Sequence, residues 1–425
     1  MLPVVSKPHL DVPSSAVHSR PAWRGIDTWS LGVLALLTAL HAGVIHASLD
    51  PRFLSAPTGN DVWFEADMPA VADGMVHRWA DHVRNAHHPL FALWTTLPSY
   101  GLSAVGLDRR QRIMTTVVCA AAVWGALVFL LVRWTTPTRF DAVLFTLLVY
   151  ASAASVFWLP TAETYVLGSA TLLAPLVLGV WESGRRFPDW WYVVASALSL
   201  SVTITNWMSG VAATFSARNI RAALRITASA LTIVVVLWTI QKLIFPSVPF
   251  FVGSDSGGRF FWPEMAGGPV AVTRSLIFHS VVMPDLQVVL EPKWGARLSV
   301  QGAALGSSGA VGGAATLLWA TLLTGGIASL WAATTNRSIR RFVLPTLVGQ
   351  LVLYNCYGEE SFLYALHLAP LLVVCAAAGT TTTFRRWFLL GAGILIVLLV
   401  INNFTTLDEA RQFFSWGGRT PPPGP

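Results

Sequence analysis

Residues 61–88 concentrate side chains that can move protons or hold charge. The stretch contains five acidic residues and four histidines, whereas the chain on either side is overwhelmingly apolar. They are Asp61, Glu65, Asp67, Asp73, Asp81, His77, His82, His87 and His88. Carboxylates and imidazoles are the groups that exchange protons near neutral pH or bind cations. A charged segment this dense between apolar runs is therefore where chemistry is expected.

The second half of this stretch has the pattern of a helix. From Pro69 onward, apolar residues recur at helical spacing, with aspartate and histidine on the opposite face. The apolar positions are Val71, Met75, Trp79 and Val83, with Val76 beside them. The pattern predicts a helix that lies along the membrane interface rather than one that crosses the membrane.

The composition is that of a membrane protein. Of the 425 residues, 54% are hydrophobic and 12% are charged, and the mean hydropathy is +0.58. Soluble domains carry roughly a quarter charged residues. The net charge of +7 comes from arginines in short clusters between apolar runs, a distribution that sets membrane orientation. The sequence therefore predicts an all-α polytopic membrane protein and excludes one that binds nucleic acid.

Apolar runs of about 20 residues mark the spans that position the charged stretch. The first run, residues 29–47, follows Arg20 and Arg24, so the amino terminus is expected to be cytoplasmic. Counting onward gives about 11 transmembrane helices. The expected regions are a cytoplasmic tail over residues 1–26, a transmembrane domain over 27–404 with a first outer loop over 49–112 and a long outer loop over 246–308, and an outer tail over 405–425.

Two apolar stretches depart from a simple count of spans. Residues 89–107 contain two prolines and two glycines and end at an arginine cluster. If this stretch does not cross, nearly every other arginine cluster falls on the inner side, so it is expected to form a second juxtamembrane helix. Residues 191–215 are broken by Asn206 and Gly210 and are expected to form a hairpin of two half-length helices.

Four short motifs lie at the outer ends of the predicted spans. They read Phe64-Glu65-Ala66-Asp67-Met68-Pro69, His87-His88-Pro89-Leu90-Phe91, Thr161-Ala162-Glu163-Thr164-Tyr165 and Ser361-Phe362-Leu363-Tyr364. This order resembles the GT-C superfamily of membrane glycosyltransferases, which includes protein O-mannosyltransferases and aminoarabinose transferases. The adjacent acidic pair of the mannosyltransferases and the second proline of the family's His-Pro-Pro-Leu element are absent, which leaves the sugar and the acceptor open. The resemblance implies a GT-C-like bundle with juxtamembrane helices in the first outer loop.

The resemblance also implies an activity. Members of the superfamily transfer a sugar from a polyprenyl-phosphate donor to an acceptor hydroxyl, with inversion at the anomeric carbon, and the acceptor needs a general base. Asp67 is the first choice for that base because a helix is expected to begin beside it, and Glu65 and Asp61 are the alternatives. A helix N-cap without a catalytic role explains Asp67 about as well.

Further residues are expected to contact the donor or a metal. The expected substrate-binding residues are His87, His88, Glu163, Arg259, Arg274, Lys293, Arg297, Glu359 and Glu360. The basic residues among them suit the lipid phosphate, to which arginine makes bidentate contacts. Some members of the superfamily hold a divalent metal between loop carboxylates, and the resemblance assigns that metal to Glu163 and His88; no organic cofactor is expected. Helix capping by Glu163 and solvent-facing histidines are the simpler interpretations.

Two other functions remain open. A lipid or solute transporter or flippase carries polar residues in mid-span, and Asn206 and Gln350 are among the few here, although the two halves of the chain show no repeat. The other is a GT-C-like protein without catalytic activity that acts as an assembly factor. The expected partners are a polyprenyl-phosphate-linked sugar donor, a lipid, glycan or protein acceptor, and the bilayer. The expected location is the plasma (inner) membrane, with the active site facing outside.

Overall fold

The computed structural model describes residues 25–56, 61–182, 186–252, 261–262, 266–291 and 295–413. Within these residues seven helices are long and apolar enough to cross a membrane. They are α1 (Gly25–Ser48), α4 (Arg109–Thr135), α7 (Tyr165–Glu182), α10 (Ile220–Ile244), α12 (Gly309–Ala332), the segment Ser361–Thr381 that contains α14 (Ala365–Ala377), and α15 (Arg385–Gln412). The prediction of an all-α, multi-pass membrane protein is confirmed, whereas the expected number of about 11 spans is not.

Shorter elements complete the described part of the chain. The helices are α2 (Met68–Val76), α3 (Phe91–Ala104), α5 (Arg139–Ala151), α6 (Ala153–Trp158), α8 (Asp189–Val202), α9 (Trp207–Ala217), α11 (Gly268–Arg274) and α13 (Leu344–Cys356). Two strands, β1 (Gln287–Glu291) and β2 (Gly295–Ser299), pair antiparallel in the long loop. Residues 1–24 and 414–425 of the two expected tails lie outside the described residues. The expected outer tail of residues 405–425 is helical at its start, because α15 continues as far as Gln412.

The apolar run of residues 142–159, expected to be the third span, forms two helices, α5 and α6, because the chain breaks at Ser152. The Ser152 hydroxyl caps the start of α6. The amides of Ala153 and Ala154, which the break frees, donate to the carbonyls of Val281 and Ser280 at 2.9 Å each. A segment of the long loop therefore inserts beside the break and satisfies its backbone groups, which sequence periodicity does not reveal.

The hairpin expected over residues 191–215 is present as α8 and α9. Its tip lies at residues 203–206, where Asn206 is fully buried. The side-chain amide of Asn206 donates to the Gly168 carbonyl of α7 at 3.0 Å, and its oxygen accepts from Gln350 at 3.2 Å. The tip is therefore held inside the bundle by the two polar residues that the sequence places in mid-span.

Both ends of α3 contact the ends of longer helices. Near its start, the Leu93 amide donates to the side chain of Gln241, at the carboxyl end of α10, at 3.0 Å. Beyond its middle, Ser99 accepts from Arg112, in the first turn of α4, at 3.3 Å. The juxtamembrane position expected for residues 89–107 stays a prediction.

The polarity of α3 is inverted relative to that of a helix on a soluble protein. Its buried face carries Thr95, Thr96 and Ser99, all fully buried, whereas Trp94 and Leu97 are exposed. An apolar face turned outward is what contact with lipid requires. The outer face of α3 therefore carries exposed apolar side chains of that kind.

α2 is shorter than the expected interfacial helix. It ends at Val76, where the amide of His77 donates to the Asp73 carbonyl at 2.9 Å, so Trp79 follows in a loop and Val83 begins a separate 3-10 helix, Val83–Ala86. Its apolar residues pack against α3 and α4 rather than facing lipid. They are Val71, Ala72, Met75 and Val76.

The end of the bundle away from α2 and α3 carries buried ion pairs. Arg133 at the end of α4 pairs with Asp27 at the start of α1 at 2.8 Å. Arg385 at the start of α15 pairs with Asp141 near the start of α5 at 2.5 Å. These pairs tie together the helix ends that the predicted topology places inside; which side of a membrane they face in the cell stays a prediction.

Candidate active site

The candidate site is built on the loop of residues 61–67 that leads into α2. Three of its residues have left-handed backbone, with φ of 58° at Asp61, 52° at Phe64 and 62° at Glu65. This conformation costs on the order of 1 kcal/mol or more for a residue with a side chain and persists only where the surroundings enforce it. Because such strain clusters at functional sites, the loop is a candidate site on backbone geometry alone.

Phe64 fixes this loop to the bundle. Its fully buried ring lies edge-on to Phe157 at 5.7 Å, Trp158 at 6.0 Å and Phe362 at 5.1 Å between ring centroids. Phe157 and Trp158 belong to α6, and Phe362 precedes α14. Edge-to-face contacts and burial of a large ring stabilise the loop enough to offset its backbone strain.

Asp61 and Asp67 form a carboxylate pair within hydrogen-bonding reach of each other. Burial, and to a smaller extent the neighbouring charge of Asp67, raise the pKa of Asp61 to about 6, while Arg84 and Arg297 oppose the rise. Two carboxylates this close ionise together less readily than either does alone. Asp61 therefore accepts a proton in the pH range that a general base requires.

Asp67 occupies the N-cap position of α2 but does not cap it. Its side chain makes no hydrogen bond to the helix and instead contacts Arg84, with 2.5 Å between Oδ2 and Nη2. The N-cap interpretation of Asp67 therefore fails, because the carboxylate is directed to a cation instead of to the helix amides.

Arg84 also faces Glu163, whose Oε1 lies 3.7 Å from the same Nη2. Burial lowers the pKa of Arg84, but Glu163 and Asp67 together raise it above its usual range. Tyr165 and Tyr364 are the other groups close enough to act on it. Arg84 therefore stays charged and holds two carboxylates from different parts of the chain.

Glu163 is 2% exposed, and its two oxygens have different surroundings. Its Oε2 accepts from the Thr164 amide at 2.8 Å, as the capping interpretation expects. Its Oε1 faces Arg84 at 3.7 Å, and the Asp67 backbone amide also acts on this carboxylate. Burial raises the pKa of Glu163 to about 7, and Arg84 opposes the rise. The group therefore titrates near neutral pH and has an oxygen directed at the site.

Arg297 reaches the loop from β2. It forms an ion pair with Glu65, and the Leu298 amide beside it donates to the Val62 carbonyl at 2.8 Å. Burial lowers the pKa of Arg297, while Glu360, Glu359 and Asp61 oppose that change. The β1–β2 hairpin therefore brings a second arginine to the same carboxylates.

Glu360 and Glu359 stand on the other side of Arg297. Glu360, 1% exposed, accepts from the Ser299 hydroxyl at 2.5 Å. Burial raises its pKa, and the bonds from Ser299 and Phe362 and the charge of Arg297 oppose the rise. Glu359 lies within electrostatic range of Arg297 and Tyr364. Both predicted glutamates thus belong to the cluster, Glu360 through contacts that fix its position.

The two predicted histidines, His87 and His88, make contacts that hold the backbone in place. His88 is buried, and its Nδ1 donates to the Val202 carbonyl at the end of α8 at 2.6 Å. Burial and the nearby charge of Arg84 lower the pKa of His88 to about 3, so its ring is neutral. The His87 carbonyl accepts from the Ile204 amide at 3.2 Å. Both residues hold the hairpin tip, a role that their motif did not indicate.

The remaining predicted cations divide into two groups. Arg274 is half-buried and donates to the Gln301 carbonyl at 3.2 Å, and Gln301 accepts from Ser361, next to Glu360. Arg274 is therefore linked to the cluster without belonging to it. Arg259 and Lys293 lie outside the described residues.

The predicted metal ligands, His88 and Glu163, both lie near the guanidinium of Arg84. The Nδ1 atom of His88 donates to the Val202 carbonyl, which leaves Nε2 as the nitrogen that a ligand could use, and Oε1 of Glu163 faces Arg84. Among the described residues no group of three or more His, Cys, Asp or Glu is placed to hold a metal ion. A cation is already present between Asp67 and Glu163, so no step below depends on a metal; metal dependence stays a prediction.

Arg84 is the site residue that sequence reasoning missed. It is one of two arginines in the same charged stretch as the predicted carboxylates, where an arginine among acidic residues is a natural counter-ion. That signal was present, but its partners at positions 67 and 163 depend on packing.

The fold and cluster define an all-α membrane protein with a buried acidic site held by two arginines. No protein-family model matches the chain, and no curated protein matches its sequence.

Proposed function

We propose that the protein is an integral-membrane glycosyltransferase that moves a sugar from a polyprenyl-phosphate donor to an acceptor hydroxyl on the outer face of the membrane. The observation that carries the proposal is Asp61, which lies beside Asp67 on a strained loop flanked by Arg84 and Arg297 and has its pKa raised to about 6. The resemblance of the four motifs to the GT-C superfamily supplies the reaction type.

In this mechanism the acceptor oxygen attacks the anomeric carbon as the bond from that carbon to the phosphate oxygen breaks. The acceptor proton passes to the Asp61–Asp67 pair, and the polyprenyl phosphate leaves as an anion. Asp61 is the better base of the two, because Asp67 is paired with Arg84. The guanidinium groups of Arg84 and Arg297 stabilise the negative charge that develops on the leaving phosphate.

The decisive experiment uses purified protein in lipid with a panel of radiolabelled polyprenyl-phosphate sugars. Wild type is compared with Asp61→Asn and Asp67→Asn, and Asp73→Asn is the matched control because Asp73 lies in the same stretch but pairs with His77. We expect release of lipid phosphate by wild type and the control, and a loss of about a hundredfold or more in the two pair variants. Turnover retained by both pair variants contradicts the assigned base, and no turnover of any donor contradicts the enzyme.

Transport is the second candidate, and one observation favours it. The tip of the α8–α9 hairpin interrupts a helix pair inside the bundle, and Asn206, Gln350 and His367 form a hydrogen-bonded polar group there. Broken helices and buried polar groups are features of transporters. Passage of a labelled lipid across proteoliposomes without cleavage of the sugar–phosphate bond supports this function over the first.

A further inference from the structure

A second polar cluster lies at the end of α11, apart from the acidic site. The helix passes into a wide turn, Ser275–His279, in which the Ser280 amide donates to the Ser275 carbonyl five residues back at 3.1 Å. Turns of this width are rare and occur often at functional sites. The turn brings Ser275 close to His279 and Ser280, and Arg274 precedes it.

Four polar side-chain atoms of Arg274 and this turn have no hydrogen-bond partner among the described residues. They are Nε of Arg274, Oγ of Ser275, one ring nitrogen of His279 and Oγ of Ser280, while the other ring nitrogen of His279 faces the Val300 carbonyl. The two serines are fully buried and His279 is 1% exposed. An unpartnered buried polar atom costs about 1–3 kcal/mol, so four such atoms in seven residues indicate a ligand that satisfies them.

The donor set selects the kind of ligand. A guanidinium, two hydroxyl groups and an imidazole can all donate hydrogen bonds. Of the described residues, Arg274 is the charged group that acts on the His279 ring, and no carboxylate does. A positive, donor-rich site without a carboxylate favours an oxyanion and disfavours a cation.

Arg274 is already oriented for such a role. One end of its guanidinium donates to the Gln301 carbonyl at 3.2 Å, which fixes the group, while Nε remains unused. Gln301 in turn accepts from the amide and hydroxyl of Ser361 at 3.0 and 2.6 Å. The cluster is thus rigidly connected to the turn that carries Glu360.

We propose that Arg274, Ser275, His279 and Ser280 form a second binding site, which takes a phosphate-type oxyanion. The ligand is either inorganic phosphate or the phosphate group of a lipid, since the same donors recognise both. This proposal does not rest on glycosyl transfer, because binding of the oxyanion requires no reaction.

The test measures binding to purified protein in nanodiscs of neutral lipid, without any sugar donor. The probes are radiolabelled inorganic phosphate and a radiolabelled polyprenyl monophosphate, used separately. We expect saturable binding of at least one probe, weakened about tenfold or more by Ser275→Ala and by Arg274→Gln. Ser216→Ala is the control, because the Ser216 hydroxyl donates to the Arg341 carbonyl at the other end of the bundle. Binding of inorganic phosphate identifies a free-anion site, and binding of the lipid alone identifies a headgroup site.

Two results overturn the proposal. One is the absence of binding by both probes, or binding that the variants leave unchanged. The other is an increase in the thermal stability of Ser275→Ala with no loss of binding, because replacing an unpartnered hydroxyl that holds only water relieves a cost. Ser275→Ala removes one oxygen, so its folding is expected to persist if Arg274→Gln misfolds.

Discussion

Asp67 and Glu163 face the same nitrogen of one arginine: Nη2 of Arg84 lies 2.5 Å from Asp67 and 3.7 Å from Glu163. One carboxylate precedes α2 and the other precedes α7, so the arginine joins two parts of the chain that the sequence separates widely. A partly buried cation that holds two carboxylates leaves both uncompensated when it is removed.

Arg84→Gln is therefore expected to lower the free energy of unfolding by about 2–3 kcal/mol. Glu163→Gln in the same chain should restore part of this loss, because it removes a carboxylate left without a counter-ion. Thermal unfolding of the single and double variants in detergent measures the coupling. Arg225→Gln, which breaks an exposed ion pair with Asp189, should cost less than about 0.5 kcal/mol. Strictly additive costs at positions 84 and 163 contradict the shared contact.

Asp61→Asn is expected to stabilise the protein at neutral pH while it abolishes activity. The folded-state pKa of Asp61 is about 6, against an ordinary value of 3.8, so ionisation costs the folded state more than the unfolded state. Stability contributed by the protonated form is present below about pH 4 and is lost as the pH rises through 6. The variant should gain roughly 1–2 kcal/mol at pH 7.5, after allowance for solvent screening, and nothing near pH 4.

Thermal unfolding from pH 4 to 8 tests this expectation, with Asp73→Asn as the control from the same stretch. A stabilisation that does not change with pH argues against a raised pKa at Asp61. Donor turnover by wild type should rise as the pH increases through about 6, since the base must be ionised.

Gly358→Ala is expected to damage the turn that carries Glu359 and Glu360. Gly358 has φ of 100°, and an added Cβ would lie 2.7 Å from the ring of Tyr364. Gly106→Ala is the matched control, because its φ is 90° but no atom lies within 4 Å of the added Cβ. Both should lose about 1 kcal/mol to backbone strain, and Gly358→Ala should lose at least about 1 kcal/mol more together with most activity. Equal losses in unfolding experiments contradict the steric contact.

The position of α3 can be tested by labelling from one side of the membrane. In a variant without cysteine, His77→Cys places a thiol before α3 and Ser103→Cys places one in its last turn, and both positions are exposed. A membrane-impermeant maleimide should label both from the same side, and Arg225→Cys from the opposite side. Labelling of positions 77 and 103 from different sides means that α3 crosses.

Hydropathy and arginine clusters predicted the class of fold, because membrane insertion depends on the mean hydropathy over about 20 residues and on the basic residues at the ends of each span. The same topology placed Asp61, Glu65, Asp67, Glu163 and Glu360 at one end, and the structure brings all five together. The break at Ser152 was not predictable, since it depends on a distant loop that supplies carbonyls to Ala153 and Ala154.

Contacts between distant residues were beyond the sequence. His88 matched a motif and was predicted to bind substrate, yet its ring donates to the Val202 carbonyl. The motif could not indicate this contact, because it does not show where the α8–α9 hairpin ends. Arg297 reaches Glu65 only because the β1–β2 hairpin docks through Leu298 on Val62. Whether these residues catalyse a reaction is a prediction that the assays above address.

The ion pair between Glu65 and Arg297 has a consequence for synthesis. The ribosome makes Glu65 early and Arg297 much later, after several helices have entered the membrane. At about 5–20 residues per second the interval is on the order of ten seconds or more. During that time the strained loop lacks the hairpin that anchors it, so the nascent chain presents an unprotected acidic segment to whatever chaperone or protease meets it. The acidic site is therefore completed late in the biogenesis of this protein.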